Sequence, residues 1–371
     1  MRILQVTEAS WAGTLGVVTA LSDRLAAAGH EVALVYAVRP ETAPDLPERV
    51  SEAVELVPLD WRRRSPRSHA ALALALRRLV SARRPDVVHL HSSFAGAIGS
   101  LAATGVPKVY TPHGYVFARR PQGGGVLTAY RGIERLVARR CDVVAAVSEA
   151  EATLARGLGA PRVEVVPNGI PGLDAPVQPA PARPEPRVVA LGRIGPARRP
   201  EASARILAAV AGNAEVRWIG AAGGDEDAPL RAAGIPVTGW LDHRAALDEL
   251  GRATVLLHYS ERDGASLAVL EAVARDVLVI ASDIPANREL LGPRQVFADE
   301  AGAAAAIQAA LRDPGLRAEL LASQRARCSG RGADRMTRLY ADLYQRCALS
   351  PRPLRRWSHV GDGPTIERRC S

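Results

Sequence analysis

Short apolar runs alternate with segments of helical spacing along most of this chain, and the alternation stops once and then restarts. Ile3–Val6 reads as a buried strand, followed by helical spacing over Leu15–Ala28 that halts at Gly29-His30. Val32–Tyr36, Asp86–His89, Pro107–Tyr110, Asp142–Val147 and Arg162–Val166 read as further strands. Helices are expected at His69–Ala82, Phe94–Ala103, Val126–Arg139 and Glu149–Gly157. Strands that are apolar on both sides must be covered on both faces, and helices between them supply the cover. The fold class is therefore α/β with a parallel sheet.

The break runs from Pro167 to Pro186 (PNGIPGLDAPVQPAPARPEP), which is too rich in proline to continue either pattern. After it, strands are expected at Arg187–Leu191, Glu215–Ile219, Pro236–Thr238, Thr254–His258 and Val277–Ala281, with helices at Glu201–Ala211, Arg244–Leu250, Leu267–Ala274 and Ala301–Leu311. A length of 371 residues suits two such units. The expected organisation is a first domain over 1–170, a linker over 171–186, a second domain over 187–330, and a segment 331–371 that returns to the first domain and ends in a basic tail. Two doubly wound, Rossmann-like domains place a central cleft between the carboxyl ends of their strands.

Several classes are excluded. No apolar stretch reaches the roughly 18 residues of a spanning helix, and MRILQV meets Glu8 too early for a signal peptide. Cys141, Cys328, Cys347 and Cys370 lack metal-ligand spacing, so neither a disulfide framework nor a zinc site is expected, and the reading is a cytosolic protein. The net charge of +9 is uneven: +6 over 1–170, −2 over 171–330 and +5 over 331–371. Lys108 is the sole lysine. An arginine-rich genome would give this bias, and so would an anionic partner at the two ends of the chain.

Three motifs could carry chemistry. Gly13-Thr14-Leu15-Gly16 lies between the first strand and the first helix, where a glycine turn admits a phosphate or simply turns the chain; it is not a dinucleotide fingerprint. Arg193 and Arg198 follow the strand ending at Leu191, and paired guanidinium forks suit a diphosphate. Asp263-Gly264-Ala265-Ser266-Leu267-Ala268-Val269-Leu270-Glu271 follows another strand; its small residues leave N–H groups open at a helix start, and Glu271 could take paired ribose hydroxyls. Gly264–Ala268 also comes near a nucleophile elbow that would make Ser266 a hydrolase serine, but the last glycine is missing. Asp225-Glu226-Asp227 could bind a metal or form an exposed acidic loop.

Taken together these residues resemble the retaining glycosyltransferases of family 4, with the two-domain GT-B fold, and in particular members that build bacterial polysaccharides. The resemblance rests on Gly13–Gly16, His89–Ser93, Tyr110–Gly114, Val147-Ser148, Val165–Ile170, Gly192-Arg193-Ile194 with Arg198, and Asp263–Glu271. It implies that Arg193 and Arg198 hold the diphosphate of a nucleotide sugar, with Arg198 standing where the family usually has lysine. It implies that Glu271 is the second glutamate of a Glu-x7-Glu motif and binds the ribose. Asp263 replaces the first glutamate, which touches the donor sugar. The backbone of Ala265, Ser266 and Leu267 matches the loop donating to the distal phosphate, His113 the histidine lining the sugar pocket, and Gly13–Gly16 a loop closing on the donor. The implied donor is a UDP-sugar, transferred with retention and without a required metal or other cofactor.

The acceptor side is expected on the first domain. Residues 61–84 carry eight arginines and no acid, with Leu72, Leu76 and Leu79 at helical spacing. Trp61, Arg62, Arg63, Arg64 and Arg67 read as a patch for an anionic membrane surface, and the helix after them as either part of that patch or an ordinary core helix. The resemblance implies a lipid-linked saccharide as acceptor, with a soluble natural product as the alternative; no nucleic-acid partner is expected.

Overall fold

The structure is a computed structural model that describes residues 1–8, 12–38, 42, 46–61, 65–118, 124–174 and 185–349. The strands β1 (Arg2–Thr7), β2 (Glu31–Val38), β3 (Val54–Asp60), β4 (Val87–His91), β5 (Lys108–Thr111), β6 (Val143–Ala146) and β7 (Val163–Val165) form a parallel sheet in the order β3-β2-β1-β4-β5-β6-β7. Helices α1 (Ala12–Ala27), α2 (Pro66–Arg83), α3 (Ser93–Ala102), α4 (Gly124–Arg140) and α5 (Glu149–Gly157) connect them. A second parallel sheet comprises β8 (Arg187–Leu191), β9 (Glu215–Ile219), β10 (Val255–His258), β11 (Leu278–Ser282) and β12 (Val296–Phe297), ordered β12-β11-β10-β8-β9. Its helices are α6 (Pro200–Val210), α7 (Ala228–Ala232), α8 (His243–Gly251), α9 (Leu267–Ala274), α10 (Pro285–Leu290), α11 (Glu300–Arg312) and α12 (Pro314–Cys328), and α13 (Ala333–Leu349) follows.

Burial explains the pattern. Leu4, Val6, Val88, Leu90 and Tyr110 face α2, α3 and α4, while Ile3, Val87 and Val109 face α1 and α13. The strands are apolar toward both layers, so neither face tolerates water. The structure departs from the sequence reading in several places. β3, β12, α7, α10 and α12 are present where no element was expected, and Pro236–Thr238 makes only a bridge, Trp218 to Val237, along the outer side of β9. Gly13–Gly16 is not a loop but the first turns of α1.

The segment after α12 recrosses between domains. Ile170 bridges Gly332, with Ile170 N–H donating to the Arg331 carbonyl at 3.1 Å and Ala333 N–H to the Ile170 carbonyl at 3.0 Å. Helix α13 then packs on α1 and β4 through Met336, Tyr340, Leu343 and Tyr344, which recur on one helical face. A Cβ at Gly169 would press into the Gly332 carbonyl and lie 3.0 Å from the Ala333 Cα, both backbone atoms. Gly169→Ala should therefore destabilise the fold by about 1–3 kcal/mol, the cost of overpacking. Chemical denaturation measures this; an unchanged midpoint would show that the crossing is not close-packed.

Candidate functional site

In both sheets the strand order reverses once, between β1 and β4 and between β8 and β10. At such points the connections leave in opposite directions and open a crevice beyond the strand ends. Arg193 and Arg198 follow β8, and Asp263 to Glu271 follow β10, so the second domain's candidate residues share one crevice. His91 ends β4, and His113 follows β5 beside it.

Arg198 lies in a short 3-10 turn before α6, and Glu261 N–H donates to the Ala197 carbonyl at 2.9 Å, fastening the two loops together. Its Nη1 donates to Ser260 Oγ at 2.8 Å and lies 3.2 Å from Asp263 Oδ2 and 3.1–3.2 Å from the ring nitrogens of His258. His258 Nε2 is 3.3 Å from the same carboxylate oxygen. Burial alone would raise Asp263, but the bond from His258, the Arg198 charge and the Gly264 N–H outweigh it and hold the carboxyl at about 2. Burial first, and then the Arg198 charge, lower His258 below the ordinary histidine value. The cluster at pH 7 is thus one cation, one anion and one neutral imidazole. Asp263 is committed to positioning Arg198. Arg193 is exposed, with its guanidinium lying over Gly223.

Helix α9 starts without a side-chain cap at Ser266. The Ser266 hydroxyl is buried and has no partner among the described residues. Uncapped N–H groups and an unengaged hydroxyl at a helix N-terminus form a ready anion site. The same observation removes support for Ser266 as a nucleophile, which needs a base within hydrogen-bond reach. Asn168 Nδ2 donates to the Ala265 carbonyl at 3.1 Å and so sets this turn from the first-domain side. One turn into α9, Glu271 is pushed up to about 7 by burial, with Arg275 offsetting part of the rise.

Across the cleft, His113 and Gly114 both have positive φ, +54° and +97°. Gly114 faces Gly264, and a Cβ at Gly264 would be 2.9 Å from the Gly114 nitrogen, so the two domains approach through a pair of glycines. Gly114 N–H donates to Glu151 Oε2 at 2.6 Å. Glu151 is pushed up to about 7 by burial, against its bonds from Val147 and Gly114. His113 Nε2 pairs with His91 Nδ1 at 3.0 Å. Leu267 packs into both domain cores and lies against Gly13 and Gly16 of α1, so those glycines make room for a side chain.

The expected surface patch requires correction. Trp61 is 2% exposed and packs edge-on against His69 and Phe94 inside the first-domain core, where its large apolar ring is removed from water. Arg67 is exposed at the start of α2, and Arg62, Arg63 and Arg64 lie outside the described residues. Asp225 and Asp227 both pair with Arg231. Among residues given no role from the sequence, Glu151, Asn168, His258 and Ser260 hold the site together. His258 left a signal as a histidine closing an apolar strand, and Asn168 as part of the Val165–Ile170 motif.

Residues 13–171 match the family described as Glycosyltransferase Family 4, and residues 185–313 the family described as Glycosyl transferases group 1. No curated protein matches the chain. Among solved structures, a sucrose-phosphate synthase from Thermosynechococcus elongatus aligns with TM-score 0.79 and 18% identity, over 93% of this chain and 98% of that one. Anabaena HepE in complex with UDP-glucose aligns with TM-score 0.75 and 14% identity, over 93% and 99%. A trehalose-6-phosphate enzyme from E. coli bound with UDP-2-fluoro glucose aligns with TM-score 0.70 and 14% identity, over 93% and 99%. The shared fold is GT-B.

The Glu271 carboxyl makes a signed prediction. Its folded value, about 7, lies above the unfolded one, so the fold favours its protonated form and loses stability as pH rises from about 4.5 to 7. Glu271→Gln removes the charge. The variant should therefore gain on the wild type between pH 5 and pH 8, by about 2 kcal/mol at roughly 1.4 kcal/mol per pH unit. Denaturation of both proteins at the two pH values measures it. An equal difference at both would mean that Glu271 is not desolvated.

Proposed function

The chain belongs to the glycosyltransferases, with a family 4 first half and a group 1 second half, and from that premise we propose that it transfers a sugar with retention from a UDP-sugar to an acceptor hydroxyl, on a lipid-linked saccharide in bacterial polysaccharide synthesis. The observation carrying the donor reading is the convergence, at one switch point, of Arg198, the uncapped start of α9 and Glu271. A cation and open N–H groups suit a diphosphate, and the Glu271 carboxyl one turn away, once ionised, suits two ribose hydroxyls. That UDP-glucose is bound by Anabaena HepE supports the choice of nucleotide.

In this reading the diphosphate leaves with developing negative charge. Arg193, Arg198 and the N–H groups of Ala265, Ser266 and Leu267 stabilise it, and they are aimed before reaction begins. Asp263 and His258 hold Arg198 in place. The acceptor oxygen attacks the face the diphosphate leaves, which gives retention. Fixed cations take the place a metal would fill, and the acidic pair Asp225 and Asp227 is already engaged by Arg231, so no metal is required. Transfer should persist in EDTA, with UDP release as the readout. Arg193→Ala should weaken UDP-glucose binding by roughly 1.5–3 kcal/mol, the scale of a charged hydrogen bond. Unchanged affinity by calorimetry would remove Arg193 from the donor site, and activity lost in EDTA and restored by manganese would overturn metal independence.

For the acceptor, the exposed side of α4 supports a membrane surface better than Trp61 does. Val126, Ile133 and Leu136 are 70%, 41% and 43% exposed, and Arg131, Arg135, Arg139 and Arg140 are exposed beside them. The helix is anchored beneath by buried Glu134, which accepts from Ser93 and from Tyr110. An apolar stripe flanked by arginines suits an anionic leaflet, at about 1 kcal/mol per basic residue. No helix among the described residues is long and apolar enough to cross a membrane. Ile133→Asp combined with Leu136→Asp should release the protein from anionic vesicles at low salt while UDP-glucose binding persists. A wild type that ignores such vesicles would favour a soluble acceptor.

A further inference from the structure

A continuous hydrogen-bond path runs from His113 through the first sheet to the C-terminal helix. The parallel register pairs Gln5 with His89 and His91 with Thr111, so these four side chains share the face of the sheet covered by α13. That face is apolar lower down, at Ile3, Val87 and Val109, and polar at the strand ends, beneath Tyr340 and Tyr344. Gln5, His89, His91 and Thr111 are each 0% exposed, so their polar atoms must be satisfied within the protein.

The orientation of the Gln5 amide, Nε2 toward Tyr344 and Oε1 toward His91, sets the direction of each bond. Gln5 Nε2 donates to Tyr344 Oη at 3.2 Å. Gln5 Oε1 therefore accepts from His91 Nε2 at 2.7 Å, which leaves His91 Nδ1 to accept from His113 Nε2 at 3.0 Å. On the other side, the Tyr344 hydroxyl donates to His89 Nδ1 at 2.6 Å, and His89 Nε2 donates to Thr111 Oγ1 at 2.8 Å, beside Tyr340. His89 and His91 each use one nitrogen to donate and one to accept, which requires both to be neutral. Burial agrees: it lowers His89 and His91 well below the ordinary value and His113 to about 4. His113 itself is half-buried, and its Nδ1 has no partner among the described residues.

We infer that this path fixes His113 as the Nε2–H tautomer and presents its Nδ1 lone pair to a sugar hydroxyl in the cleft, so that Gln5, His91 and Tyr344 are positioning residues for transfer. The inference rests on the donor reading above for the identity of the hydroxyl, but not for the tautomer. Its consequence is a coupling across domains. Among the described residues, the hydroxyl bonded to the Gln5 amide sits on the helix that re-enters after the second domain. Without that hydroxyl, the amide can turn over and reverse both histidine bonds.

The test is a long-range proton–nitrogen spectrum of the full chain labelled at histidine, near pH 7. The wild type should show His113 as Nε2–H. Tyr344→Phe should give a mixture of His113 tautomers and a kcat about tenfold lower, the scale of one lost hydrogen bond, with UDP binding unchanged. His91→Gln, whose amide can accept from His113 and donate to Gln5, should retain more activity than His91→Leu at equal Tm. An Nδ1–H signal for wild-type His113, or an undisturbed Nε2–H signal in Tyr344→Phe, overturns the inference. A wild type that neither binds nor turns over a UDP-sugar overturns the donor reading instead, and the spectra still decide the tautomer.

Discussion

Burial of two parallel sheets on both faces is the constraint from which the site follows. Strands such as Val87–His91 and Val255–His258 are fully buried along their length, so no ligand can reach them from the side. Only the carboxyl ends are open, and only where the strand order reverses is there room between neighbouring loops. The donor-side residues therefore come from the segments after β8 and β10, and the residues across the cleft from the end of β4, the segments after β5 and β7, and α1.

Charge in the cleft is balanced before any ligand arrives. Asp263 neutralises Arg198 at 3.2 Å, while His258 and His113 stay uncharged. A half-buried guanidinium without a partner would be costly, and a carboxylate one methylene shorter than glutamate sits close enough to hold it. A nucleotide diphosphate would then meet a preset donor array whose atoms need not reorganise. Glu271, pushed up to about 7, is the exception, since the ionised form suited to two hydroxyls is disfavoured in the empty site.

The domains are joined at more places than the linker. Leu267 lies in both cores, Asn168 grips the Ala265 carbonyl, and Gly114 meets Gly264 with no side chain between. Helix α13 completes the first domain from beyond the second, and its tyrosines bond buried polar groups of the first sheet, Tyr344 the His89 ring and Tyr340 the Thr111 hydroxyl. Packing and the polarity of the site therefore depend on the same return of the chain.

The sequence by itself determined the α/β class, the two units and the crevice-forming motifs. Apolar strands and helical spacing are local signals, and Arg193, Arg198 and Asp263–Glu271 each sit within a few residues of a strand end. It did not determine Trp61, because an indole beside arginines is equally suited to a surface or a core until its neighbours His69 and Phe94 are in place. Nor did it determine Gly13–Gly16, whose glycines allow a loop but serve a helix that receives Leu267, 251 residues on from Gly16. The histidine path lay furthest out of reach. His89 and His91 alternate along one strand, yet Gln5 and Tyr344 are 339 residues apart, and only the parallel register and the returning helix bring their polar atoms within hydrogen-bond distance.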